Sequence, residues 1–109
     1  MNIDQLLLDL RQQGGSDLHL KIGRPPLFRI HGDLLPQTTY SEVTADEMKL
    51  TMNQLLGPER SRIFTQELEA DFSYEIPNVG RYRVNAFVQR GQIGAALRYV
   101  PLQVPTIDT

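Results

Sequence analysis

Apolar and polar positions alternate most regularly between Gly80 and Val100, and that alternation predicts a β-hairpin. With Arg90-Gly91 as its turn, Tyr82 faces Tyr99, Val84 faces Leu97, Ala86 faces Ala95 and Val88 faces Ile93. All of these lie on one face, as a half-buried antiparallel pair requires. Ala70 to Ile76 alternates in the same way, with Phe72, Tyr74 and Ile76 inward, and Pro77-Asn78-Val79-Gly80 turns the chain into the hairpin. Nearer the N-terminus, Asp17 to Ile22 reads as a strand with Leu18, Leu20 and Ile22 inward. After the rigid turn Gly23-Arg24-Pro25-Pro26, Leu27 to His31 forms a second strand, and Gly32-Asp33 reverses it into Leu34-Leu35.

Helical spacing occurs in two places. Ile3, Leu6, Leu7 and Leu10 share one face of a segment from Asn2 to Gln13, with Asn2 placed to cap it and Gly14-Gly15 to end it. Thr44 and Glu47 form a capping box that opens a helix through Met48, Met52, Leu55 and Leu56. Gly57-Pro58 stops that helix and starts another, from Glu59 to about Glu67, carrying Ile63 and Phe64. Helix, two or three strands, two helices and three strands make an α+β domain: an antiparallel sheet with helices packed on one side. This domain is expected to span residues 1–100. Residues 101–109, with two prolines and no period, read as the start of an interdomain linker, so the chain has the look of a fragment.

Composition adds mainly exclusions. The 109 residues suit one domain with one core. No apolar run is long enough to span a bilayer, and no basic segment followed by an apolar one marks a secretory signal. The absence of cysteine rules out disulfides, thiol catalysis and Cys-ligated zinc, and fits a reducing cytoplasm. A net charge of −2 argues against broad nucleic-acid binding while leaving room for a local anion site.

Against that charge, the arginines stand out. The hairpin register sets Arg83 opposite Arg98 on its polar face, with Arg81 two residues along and Arg90 in the turn. Like charges facing each other across a ladder are destabilising, so a counter-charge is required. A neighbouring carboxylate (Glu69, Asp71 or Glu75) supplies one answer, and a bound anion such as a phosphate the other. No Gly-x-x-x-x-Gly-Lys-Ser/Thr loop occurs, and no nucleophile stands in a catalytic motif, so the chain alone is not expected to hydrolyse a nucleotide. Asp17-x-His19 and His31-x-Asp33 place potential metal ligands on two strands, and would converge if those strands brought all four together, although solvated histidines are the commoner case.

Five segments, in order, carry a family resemblance: Gly15-Ser16-Asp17-Leu18-His19-Leu20, Gly23-Arg24-Pro25-Pro26, Arg29-Ile30-His31-Gly32-Asp33, Glu69-Ala70-Asp71-Phe72-Ser73-Tyr74 and Gly80-Arg81-Tyr82-Arg83-Val84-Asn85-Ala86-Phe87. The chain resembles the N-terminal domain of the type II/IV secretion ATPases, on their type IV pilus retraction (twitching motility) branch. The resemblance implies a PAS-like fold joined by the linker to an absent RecA-like domain that holds ATP and Mg2+. It further implies a homohexamer in which the domain packs on a neighbouring subunit, in the cytoplasm at the inner-membrane machinery of the pilus base, with no nucleic acid and no membrane insertion. Arg81, Arg83 and Arg98, with Arg90 beside them, are the positions that match arginines approaching the nucleotide phosphates. ATPase activity then belongs to the parent. A stand-alone PAS-like module that senses a ligand or binds a protein is the alternative. Phe87 on the arginine face reads either as an interface residue or as an aromatic covering Gly94.

Overall fold

A computed structural model describes residues 1–101. Residues 102–109, and with them nearly all of the expected linker, lie outside the described residues.

Helix α1 (Ile3–Gln12) starts where expected, the Asn2 side chain accepting a hydrogen bond from the Gln5 amide at 3.2 Å. Strands β1 (Gly15–Lys21), β2 (Leu27–Ile30) and β3 (Asp33–Pro36) follow, then α2 (Ala45–Glu67) and strands β4 (Glu69–Ile76), β5 (Gly80–Gln89) and β6 (Gln92–Val100). The strands form one antiparallel sheet in the order β3-β2-β1-β6-β5-β4. Thr44 and Glu47 make the reciprocal capping box at the start of α2. Gly57 (φ 76, ψ 173) breaks α2 into two helical segments, with Pro58 opening the second.

The β5–β6 register pairs Tyr82 with Tyr99, Val84 with Leu97, Ala86 with Ala95, Val88 with Ile93 and Arg83 with Arg98, as the alternation predicts. Both turn residues, Arg90 (φ 53) and Gly91 (φ 76), are left-handed, which matches the twist of a two-residue hairpin. Two expectations need correction. The β2–β3 reversal is centred on His31-Gly32 (φ 51 and 85), so His31 is a turn residue and Asp33 begins the next strand. Ile63 is exposed and Phe64 alone of that pair faces the core, because consecutive helical residues point about 100° apart.

Helices cover one face of the sheet, and the core forms between them. Leu18, Leu20, Phe28, Phe72, Val84, Ala86, Ala95 and Leu97 meet Ile3, Leu6, Leu7 and Leu10 of α1 and Met48, Met52, Leu55, Leu56 and Phe64 of α2. The tyrosines then fix α1. Tyr74 donates to Asp4 at 2.6 Å, Tyr82 donates to the Leu7 carbonyl at 3.3 Å, Tyr40 donates to Asp9, and Arg11 lies 3.8 Å over the Tyr99 ring. Tyr74, Tyr82 and Tyr99 form one row across β4, β5 and β6. Their helix partners at 4, 7 and 11 follow the i, i+3, i+4 spacing of one helical face. All four tyrosines of the chain are spent on docking this helix.

Candidate functional site

With the helices on one side, the opposite face of the sheet is left to polar side chains. Alternation sends Arg81, Arg83, Asn85 and Phe87 of β5 to that face, together with Ala96 and Arg98 of β6 and Asp17, His19 and Lys21 of β1. One row runs Ser73, Arg83, Arg98, Asp17, Arg29 across five strands, and the next runs Asp71, Asn85, Ala96, His19, Leu27. The sheet register, not proximity in sequence, assembles this cluster.

Carboxylates answer Arg81, Arg83 and Arg98, whereas Arg29 donates to the Gly32 carbonyl at 2.9 Å. Arg83 Nε donates to Asp71 Oδ1 at 2.9 Å, Arg81 Nη2 lies 3.5 Å from Glu75 Oε1, and Arg98 Nη2 lies 3.4 Å from Asp17 Oδ2. Asp71 and Glu75 were among the counter-charges expected from sequence. Asp17 was not, because only the β1–β6 pairing puts it beside Arg98, and strand order left no mark in the local pattern. Glu69, the third expected carboxylate, faces Phe87. Arg81, Arg83 and Arg98 remain largely in solvent, at 53%, 59% and 72% exposure of their side chains. The Asp71 carboxylate raises the Arg83 pKa, keeping the guanidinium charged. Arg90 does not join the cluster: seven residues along β5 from Arg83, it stands roughly 23 Å away at the far tip of the hairpin.

Asp17, His19, Arg83, Asn85, Ala96 and Arg98 line an open depression of ≈ 270 Å³. Burial lowers the His19 pKa, Asp17 pulls it back up, and Arg29, Lys21 and Arg98 push it down. Its Nε2 is buried without a hydrogen-bond partner, 4.0 Å from Asp17 Oδ2. The four-ligand metal arrangement does not form. Asp17 and His19 are neighbours, but His31 lies in the β2–β3 turn and Asp33 opens β3, and no group of three metal-ligating side chains occurs among the described residues. Phe87 packs over Gly94, where an added Cβ would lie 2.7 Å from Phe87 Cε2.

The interior face itself is filled by the large core residues expected from the alternation, Leu18, Leu20, Phe72, Val84 and Leu97 among them. A separate cleft of ≈ 290 Å³ opens beside the break in α2, lined by Lys49, Met52, Asn53, Leu56, Phe64 and Ile93 among others.

No protein-family model matches the chain. The type IV pilus retraction ATPase PilT of Pseudomonas aeruginosa is 38% identical over 112 aligned positions, covering 99% of this chain and 31% of PilT. The crystal structure of the pilus retraction motor PilT with bound ADP superposes with a TM-score of 0.86 at 32% identity, over 96% of this chain and 31% of that one. The chain is similar to the N-terminal domain of PilT. Its six-stranded antiparallel sheet with helices on one side is that domain's α+β fold. The Legionella pneumophila ATPase DotB is also alike, with a TM-score of 0.75 and 27% identity over 91% of this chain and 28% of DotB. The chain therefore spans about a third of the length of the PilT proteins it matches.

Proposed function

We propose that the chain is the N-terminal domain of a hexameric type IV pilus retraction ATPase, and that Arg81, Arg83 and Arg98 reach the phosphates of a nucleotide held in the cleft between this domain and a RecA-like domain. One observation carries the reading: three exposed guanidiniums share the uncovered face of a fold whose likeness, PilT, binds ADP. Guanidinium groups suit this task because their planar fork matches phosphate oxygens and stays charged at any working pH. ATP and Mg2+ would be held mainly by the RecA-like domain, since this chain has no phosphate-cradling loop. The chain's own part is to place positive charge where the nucleotide's negative charge grows or departs, in the manner of an arginine finger. Loss of that charge on hydrolysis would release the arginines and let the two domains rotate, a hinge transition keyed to the phosphate. Arg90 falls outside this contact because of its distance from the cluster.

Packing against a neighbouring subunit and work at the cytoplasmic side of the pilus base belong to the same proposal. No helix among the described residues is long and apolar enough to cross a membrane. The test is kinetic. Arg83→Ala in the complete ATPase is expected to depress turnover by more than about tenfold, the lower range for a finger arginine being larger still. The circular dichroism and unfolding midpoint of the domain should be unaltered. Wild-type turnover in that variant would remove Arg83 from the nucleotide contact.

A further inference from the structure

We infer that Asp17 and His19 form a holding station for Arg98: Asp17 keeps the guanidinium parked on the open sheet face, and His19 takes over the carboxylate when Arg98 moves to an anion. The inference rests on the reading of Arg98 as a phosphate contact and adds its regulation.

Asp17 is one of two buried polar residues among the described ones, at 8% exposure. A buried carboxylate is costly unless paired. Two cationic or potentially cationic groups converge on the same Oδ2, Arg98 Nη2 at 3.4 Å and His19 Nε2 at 4.0 Å. The first is long for a charged hydrogen bond and comes from a side chain that is mostly in solvent, so Arg98 is held loosely and can swing out. The second comes from a buried nitrogen that has no other partner. His19 is thus a donor in waiting for the one carboxylate that Arg98 would leave behind.

The depression shared by these groups makes the exchange competitive. An anion entering it meets Arg83, Arg98 and Asn85, and is opposed by Asp17. If the anion draws Arg98 away, Asp17 becomes a buried, uncompensated negative charge, and a proton taken up by His19 restores the pair. The other groups facing the imidazole are Arg29 on β2 and Lys21 on its own strand, both of which disfavour its protonation, as Arg98 does. Departure of Arg98 removes one opposing cation and frees the one favourable carboxylate. Linkage makes the effect reciprocal: anion binding draws a proton, and acid strengthens anion binding.

The test uses the 109-residue chain and inorganic sulfate, whose charge is constant across the range of interest, against chloride at matched ionic strength. NMR follows the His19 imidazole and the Arg83 and Arg98 Nε–Hε signals. Sulfate is expected to move both arginine signals, to shift the His19 titration upward, and to bind more tightly at about pH 5.5 than at about pH 7.5. Asp17→Asn should bind sulfate up to about fivefold more tightly and lose the pH dependence, since an ion pair of this kind contributes no more than that. His19→Gln should retain binding near neutrality and also lose the pH dependence. Sulfate that moves Arg98 while His19 titrates unchanged overturns the holding station and leaves the phosphate contact standing. Sulfate that moves neither arginine at any pH overturns the station on this chain, and the Arg83→Ala turnover of the complete ATPase then judges the phosphate contact separately. Should Asp17→Asn fail to fold, Arg98→Gln serves in its place: it is expected to shift the His19 titration upward without any anion, and an unshifted titration overturns the station.

Discussion

Gly80 gives the sharpest test of how α1 is held on the sheet. Its φ of +151 is one that L side chains rarely adopt, and an added Cβ would lie 2.6 Å from Cε1 of Tyr99. That ring cannot retreat freely. Arg11 stacks 3.8 Å over it, and Tyr82 meets it edge-on with centroids 5.6 Å apart. Gly80→Ala therefore combines backbone strain of about 1–3 kcal/mol with the loss of a cation–π contact of about 0.5–1 kcal/mol. The sum, roughly 2–4 kcal/mol, corresponds to a Tm lower by roughly 10–20 °C for a domain of this size. Gly91→Ala is the control. Gly91 is also left-handed (φ +76), but nothing lies within 4 Å of an added Cβ, so only the turn strain remains. Urea and thermal unfolding can be followed by tyrosine emission, because the chain has four tyrosines and no tryptophan. If Gly80→Ala costs no more than Gly91→Ala, the Tyr99 packing contributes nothing to the docking of α1 and the argument fails.

Two further outcomes follow from the same contacts. The bond to Asp9 pushes the Tyr40 pKa up to about 12, while burial and the Asp4 carboxylate raise that of Tyr74 and burial raises that of Tyr82. The folded state keeps phenol protons that the unfolded chain loses near pH 10, so stability is complete below about pH 10 and falls as pH climbs towards 12. Urea midpoints measured across that range should decline, and the Tyr40→Phe, Tyr74→Phe double variant should flatten the decline. At the hairpin tip, Arg90→Asn should leave Tm unchanged or raise it, since asparagine before glycine suits a turn with two left-handed residues and Arg90 is far from the arginine cluster. A clear loss of Tm would show that the Arg90 side chain has a structural partner.

Local features were legible in the sequence because local rules set them. Asn2 and the Thr44–Glu47 pair mark helix starts by short side-chain bonds, and Gly57-Pro58 marks a break that no periodicity survives. The β5–β6 register was legible because a one-residue slip would turn Val84, Leu97 and their neighbours out to water. Strand order was not. Nothing near Asp17 says that β1 lies against β6, so the Arg98 counter-charge was invisible while those of Arg83 and Arg81, one hairpin away, were expected. The tyrosine grip on α1 was hidden for the same reason: Tyr74 and Asp4 are 70 residues apart. His31 was misread because its alternation with Ile30 continues the strand, whereas its left-handed backbone ends it.

The ion pairs also bear on why paired arginines are still suited to a phosphate. Each of Arg81, Arg83 and Arg98 meets its carboxylate through one nitrogen: Nη2, Nε and Nη2 respectively. A guanidinium has five donors in a fixed fork, so most of each fork is left unspent. The carboxylates orient the side chains without saturating them, which lowers the entropy lost when a ligand arrives. A phosphate offers the paired oxygens that a single contact does not, and can therefore displace Asp71 or Asp17 without first paying to organise the arginine. Among the described residues nothing else meets the remaining donors, because the helices occupy the other face of the sheet and the core is closed beneath. Among the described residues these forks stay open on an uncovered face, and at the proposed phosphate contact the Asp17–His19 pair is where an arriving anion would have a consequence buried inside the domain.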